Sequence, residues 1–149
     1  MKNEFLRHTL STIDYRFNKS VKYRDQAFGD FSLGKGSRTP IEIINHMYAV
    51  LSWTTAFVQE GKVQKEGPAK LDLESEIERF NLAIQNLDEI FSEKELDMNY
   101  SKKLLQGPLS DIITHIGQLS MLSRLNDKPI EFEDFSSASI KTGVIKDVD

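Results

Sequence analysis

Between Leu73 and Phe91 the apolar residues fall at one helical spacing. Leu73, Ile77, Phe80, Ile84, Leu87 and Phe91 form a single stripe, with Glu74, Glu76, Glu78, Arg79, Asp88 and Glu89 mostly off it. A pattern of period 3.6 with one apolar face fits an amphipathic helix and excludes a half-buried strand. Such a helix must bury its stripe against other elements, and three more segments offer partners. Leu6, Leu10, Ile13, Phe17 and Val21 repeat the spacing, which predicts a helix over 3–22. Thr39-Pro40-Ile41-Glu42 has the form of a helix start: Thr39 as cap, Pro40 at the first position and Glu42 closing a capping box. That helix extends to Glu60, stops at Gly61, and carries Ile43, Ile44, Met47, Val50, Leu51, Phe57 and Val58. Gly107-Pro108 opens a fourth helix that reaches Asn126 and is stopped by Asp127-Lys128-Pro129.

The remaining segments connect these helices. Lys22 to Arg38 lacks periodicity but holds Tyr23, Phe28, Phe31 and Leu33, which predicts an ordered loop packed on the body. Gly61 to Lys70 is rich in lysine and contains Gly67-Pro68, the pattern of a solvated connector. Ser92 to Gln106 is mixed, with extended stretches or short helical turns expected around Met98-Asn99-Tyr100. The tail from Ile130 is partly irregular, with Phe132 and Phe135 expected to tuck against the helices and the last residues expected to be mobile. The expected architecture is all-α, a four-helix bundle in one domain over 1–149.

Several function classes drop out. The chain has no cysteine, so disulfides, zinc fingers, iron–sulfur ligation and cysteine nucleophiles are excluded. Its formal net charge is -4 with no long basic run, which disfavours a nucleic-acid partner. The longest apolar run, Met47 to Leu51, is far below the ~20 residues of a membrane span, and the charged N-terminus does not have the form of a signal peptide. A cytoplasmic protein is expected. No Gly-x-Ser-x-Gly elbow, phosphate-cradling Gly-rich loop or His-Glu-x-x-His occurs. The acidic residues of the third helix look like a solvated face.

Bundle interiors become sites where inward side chains are polar. On a helical wheel His46 falls within the apolar sector of its helix, with Trp53 beside it as a pocket-lining aromatic or a core residue. Asp111 and His115 lie one turn apart, about 40° from each other, at the border of the apolar sector of the fourth helix. Gln118 shares their stripe and is placed to hold a water or ligand. Two imidazoles and a carboxylate form a set that binds divalent metal. The same residues also admit a plain account, with Asp111 and His115 as an i,i+4 ion pair and His46 bonded to a buried carbonyl. His8 lies on the opposite face of its helix and is expected to be exposed.

The fourth helix carries His115-Ile116-Gly117-Gln118-Leu119, and a short loop ending in Pro129-Ile130 follows Arg124. Together with Pro40-Ile41-Glu42 and His46, this resembles the DinB-like family. The resemblance implies an up-down-down-up bundle with a long crossover, and a divalent ion bound by one side chain of the second helix and two of the fourth. It implies metal-dependent chemistry, as a hydrolase or thiol transferase acting on a small molecule, and a homodimer. His46 and His115 match the family's ligand histidines. The remaining ligand position, usually histidine, is Asp111 here, so the implied set is His46, Asp111 and His115, with zinc or nickel favoured over iron or manganese. The competing expectation is a non-catalytic bundle that has lost the metal and binds a small ligand or a protein partner.

Overall fold

The computed structural model describes residues 1–145. Its long helices are α1 (Glu4–Ser20), α2 (Pro40–Glu60) and α3 (Leu73–Glu93), followed by a fourth rod made of α4 (Met98–Leu104), a π-helical segment (Leu105–Leu109) and α5 (Ser110–Leu125). Two short 3-10 turns, Phe28–Asp30 and Phe135–Ser137, complete the regular structure, and no strand occurs among the described residues. No helix is long and apolar enough to cross a membrane among these residues.

The predicted caps form. The Thr39 hydroxyl accepts from the Glu42 N–H (3.3 Å), and the Glu42 carboxylate accepts from the Thr39 N–H (3.1 Å), the reciprocal pairing of a capping box. Gly61 ends α2 at φ 67°, a left-handed conformation that glycine adopts without a Cβ penalty. Asp72 caps α3 by accepting from the Ser75 N–H at 2.9 Å.

The fourth rod starts earlier than its sequence indicates. Asp97 accepts from the Tyr100 N–H at 2.8 Å and starts α4 nine residues before Gly107. Pro108 therefore lies inside the rod and not at its start. Proline has no N–H to give an ordinary helix, and its ring crowds the preceding turn. The wider π turn absorbs both effects, and the Ser110 hydroxyl donates to the Leu105 carbonyl within it.

The buried faces of all four rods join one hydrophobic cluster, which includes Leu10, Phe17, Met47, Leu51, Phe80, Ile84, Leu109, Ile112 and Leu119. Phe17 and Phe80 meet at its middle with ring centroids 4.4 Å apart. The loop between α1 and α2 packs onto this body around Phe28, which is buried, and Gly29, where a Cβ would come within 2.8 Å of Ile41 Cδ1, whereas Tyr23 and Leu33, also expected to pack, are exposed.

Polar bonds fix which ends meet. Asn3 Nδ2 donates to the carbonyls of Phe91 (2.8 Å) and Lys94 (2.6 Å), and Arg7 grips Asp88 with two bonds of 2.9 and 3.0 Å. Farther along α1, Asn18 Nδ2 donates to Asn81 Oδ1 at 3.1 Å. Asn45 on α2 bonds Glu76 near the start of α3 (3.0 Å), and Lys94 just past α3 donates to the Val58 carbonyl near the end of α2 (3.4 Å). Phe57 stacks on Tyr100, so the end of α2 meets α4.

Two expectations are corrected here. The acidic side chains of α3 are not all solvated, because Glu76 and Asp88 are buried. Glu76 is fully enclosed and accepts from Asn45 Nδ2, the Leu71 N–H and Arg79, while Asp88 is paired with Arg7. A carboxylate can be buried when charge and hydrogen bonds replace its water. The tail is the other case. Phe135 packs edge-on to Tyr15, with the Arg16 guanidinium 3.9 Å from its ring centroid, but Phe132 is 98% exposed. The expected mobile end, residues 146–149, lies outside the described residues.

Candidate metal centre

The capped start of α2 fixes the direction of its second turn, where His46 stands. The π segment delivers the first two turns of α5, with Asp111 and His115 one turn apart on the side that faces α2. His46 Nε2 lies 3.1 Å from Asp111 Oδ2. A carboxylate only accepts, so the imidazole N–H donates. His115 Nδ1 lies 2.7 Å from the backbone oxygen of Asp111, which likewise only accepts. That bond places the His115 proton on Nδ1 and leaves the lone pair on Nε2. The two rings are 4.7 Å apart between centroids and tilted by 49°.

One ligand atom from each of His46, Asp111 and His115 lies within 4.8 Å of the others. The three residues grade from inside to outside: His115 is buried, His46 has 27% of its side chain exposed and Asp111 has 42%. The plain account from the sequence holds in part, since Asp111 and His115 lie within ion-pair distance one turn apart. The Asp111 carboxylate is 3.6 Å from His115 Nδ1, too long for a hydrogen bond, and is turned to His46 instead. His46 is accordingly bonded to a carboxylate and not to a buried carbonyl. It also stands at the edge of the apolar sector, since α2 buries Ile43, Ile44, Met47 and Leu51 beside it.

Comparison of the chain with protein-family models, with curated proteins and with solved structures gives no match. The site therefore rests on its own chemistry. Tetrahedral zinc at ordinary bond lengths holds its donor atoms about 3.3 Å apart. A separation of 4.8 Å must close by about 1.5 Å, within reach of small torsions of the half-exposed His46 and Asp111. His115 already has the arrangement of a metal-ligating imidazole, with one nitrogen fixed by a carbonyl and the other free to ligate. The donor set fits a divalent ion.

The other sequence candidates lie elsewhere. Gln118 is exposed on α5, and no hydrogen bond joins it to the cluster among the described residues. Trp53 is half-buried and turned toward the connector after α2, where its Nε1–H donates to the Glu66 carbonyl at 3.2 Å. There it lines a cavity of about 470 Å³ with Tyr48 and Pro68, away from His46. His8 is exposed as expected and shares a 2.8 Å bond with the Thr142 hydroxyl.

One residue at the site was not visible in the sequence. Arg38, the last residue before the Thr39 cap, reaches His115 and places Nη1 3.3 Å from Nε2. Glu42, one turn before His46, stands nearby. Bonds from Thr39, helped by the charges of Lys70 and Arg38, hold its carboxyl below the usual carboxylate range. The available signal was position: a basic residue adjoining the capped start of a ligand-bearing helix has its backbone anchored and its side chain free.

Proposed function

We propose that this chain binds one divalent metal ion through His46, Asp111 and His115 and uses it to act on a small molecule, as a metal-dependent hydrolase or thiol transferase of the DinB-like type. The observation that carries this reading is the convergence of two imidazoles and one carboxylate from two helices within 4.8 Å. An ion held by three protein side chains keeps a coordination position for water or substrate and acts there as a Lewis acid. The chain's own residues have separate tasks. His115 is the deep ligand, oriented by the Asp111 carbonyl. His46 and Asp111 form the rim through which a small molecule enters. The loop ending at Arg38 walls the same rim.

The up-down-down-up order with a long crossover belongs to this reading. It is supported by the start of α1 meeting the end of α3, by Asn45 near the start of α2 meeting Glu76 near the start of α3, and by the 61–72 connector lying between α2 and α3. A cytoplasmic homodimer is also part of the proposal. It is supported by the exposed apolar residues Ile113, Met121 and Leu125 on α5, with Phe132 in the tail. Light scattering should then give twice the 17.1 kDa chain mass, and a monomer mass removes the dimer.

A second reading has its own support. His46 bonds Asp111, and both ring nitrogens of His115 have protein partners, which suits a bundle that binds a ligand or a protein without a metal. Tag-free protein, dialysed against chelator and reloaded with Zn²⁺, separates the two. The metal reading expects about one ion per chain, and a melting temperature raised by several degrees, since an ion at a hundred times its Kd adds about 2.7 kcal/mol. No uptake, with one melting curve in zinc and in chelator, establishes the second reading instead.

A further inference from the structure

The guanidinium of Arg38 lies on the one nitrogen of His115 that a metal needs. His115 Nδ1 is committed to the Asp111 carbonyl, so Nε2 is the acceptor and Arg38 Nη1 the donor at 3.3 Å. One lone pair serves one electrophile. An ion on Nε2 therefore displaces Arg38, whose exposed side chain is free to swing while its backbone stays anchored beside the helix cap. The displaced guanidinium then faces a cation. Two neutral imidazoles, one carboxylate and a divalent ion sum to +1, and Arg38 raises the local charge to +2. The other acid coupled to Arg38 is Glu42, whose carboxylate already caps Thr39 and is shared with Lys70. Two cations at one rim call for an anion between them.

We propose that Arg38 is a specificity-determining residue that, together with the metal-loaded cluster, selects a small carboxylate as ligand. This deepens the metal-centre reading and rests on it. A guanidinium presents its donors as a planar fork that matches the two oxygens of a carboxylate, whereas a thiolate offers a single acceptor. Asp111 in the ligand set points the same way, because a carboxylate oxygen in place of a third, softer imidazole favours oxygen donors in the open position. Two consequences follow for metal binding. Without an anion, Arg38 opposes the ion, both by occupying Nε2 and by its charge. With a carboxylate present, Arg38 favours the ion, and by thermodynamic reciprocity the carboxylate tightens metal binding.

The test uses Co²⁺, followed by its visible absorption, in the full chain and in Arg38→Ala and Arg38→Lys, titrated with acetate, acetamide or neither at matched free Co²⁺. In the unsubstituted protein acetate should lower the Co²⁺ Kd by about tenfold and acetamide should leave it unchanged. Arg38→Ala should bind Co²⁺ at least as tightly as the unsubstituted protein without acetate, and its acetate effect should shrink to less than about twofold. Arg38→Lys should keep part of the response, because it retains charge without the fork. An equal acetate response in the unsubstituted protein and in Arg38→Ala, or none in either, overturns the role of Arg38 while leaving the metal centre standing. Failure of the unsubstituted protein to take up Co²⁺ overturns the metal centre itself and this proposal with it.

Discussion

Replacing His115 by alanine is expected to abolish stoichiometric metal uptake. His115 is the one buried member of the cluster, and its ring is held by the Asp111 carbonyl at 2.7 Å. That bond fixes both the tautomer and the direction of Nε2, so this ligand needs the least adjustment. Without it, one imidazole and one half-exposed carboxylate remain, and these already bond each other at 3.1 Å. Loss of a bond that merely orients a ligand costs ten- to a hundredfold in metal affinity, so loss of the ligand itself should exceed about a hundredfold. Equilibrium dialysis of the variant should fall from one ion per chain to none at micromolar free zinc. Circular dichroism keeps the result interpretable, because α5 should persist with only the modest loss expected of a truncated side chain. Asp111→Asn provides a second arm, since it keeps the size of the side chain while removing its charge, and it should weaken uptake without unfolding the bundle. Uptake unchanged in His115→Ala would remove the metal centre from this protein.

Replacing Glu76 by alanine is expected to be the most destabilising single change outside the apolar core. Its carboxylate is fully buried and takes bonds from three parts of the chain: Asn45 of α2 at 3.0 Å, the Leu71 N–H of the connector at 3.0 Å and Arg79 of α3 at 2.6 Å. Arg79 is partly buried, with its guanidinium 4.2 Å from the Tyr48 ring centroid and its Nε already without a partner. Removing the acid leaves the partly buried Arg79 cation without its counter-charge and the Leu71 N–H without its acceptor, while Asn45 and Arg79 keep bonds to the Pro68 and Ala69 carbonyls, so the cost is about 2–3 kcal/mol. For a chain of this length that lowers the melting temperature by roughly 5–10 °C. Glu76→Gln should lose less, since the amide oxygen still accepts. A melting temperature within about 2 °C of the parent in Glu76→Ala would show that the network carries little of the stability.

Much of this molecule could be read from its periodicities, and the exceptions share a physical cause. The stripes of α1, α2 and α3, the Thr39–Glu42 box and the Gly61 stop are local signals, set by residues within a turn or two of each other, and they match the structure except at Phe57, which is exposed. His46, Asp111 and His115 were legible because a helical wheel gives direction about an axis, and the three point toward a common interface. A wheel does not tell what covers a face. Glu76 and Asp88 sit at positions that would be solvated on an isolated helix, and only Asn45, the connector and Arg7 make their burial possible. Trp53 is near His46 on the wheel, yet the connector claims it through Glu66. Arg38 escaped because its contact with His115 spans 77 positions of sequence. Phe132 escaped because hydrophobicity alone does not guarantee a partner.

The Leu105–Leu109 segment has a consequence for how the cluster is aimed. In a helix, every residue added or removed turns all that follows by about 100°. The wide turn around Pro108 is where the phase of α4, set by Tyr100 and Leu104, is exchanged for the phase of α5, set by Ile112 and Leu119. The bearing of Asp111 and His115 thus depends on how many residues lie in that short stretch as well as on which they are. Lengthening or shortening it re-points both side chains together while leaving their chemistry intact.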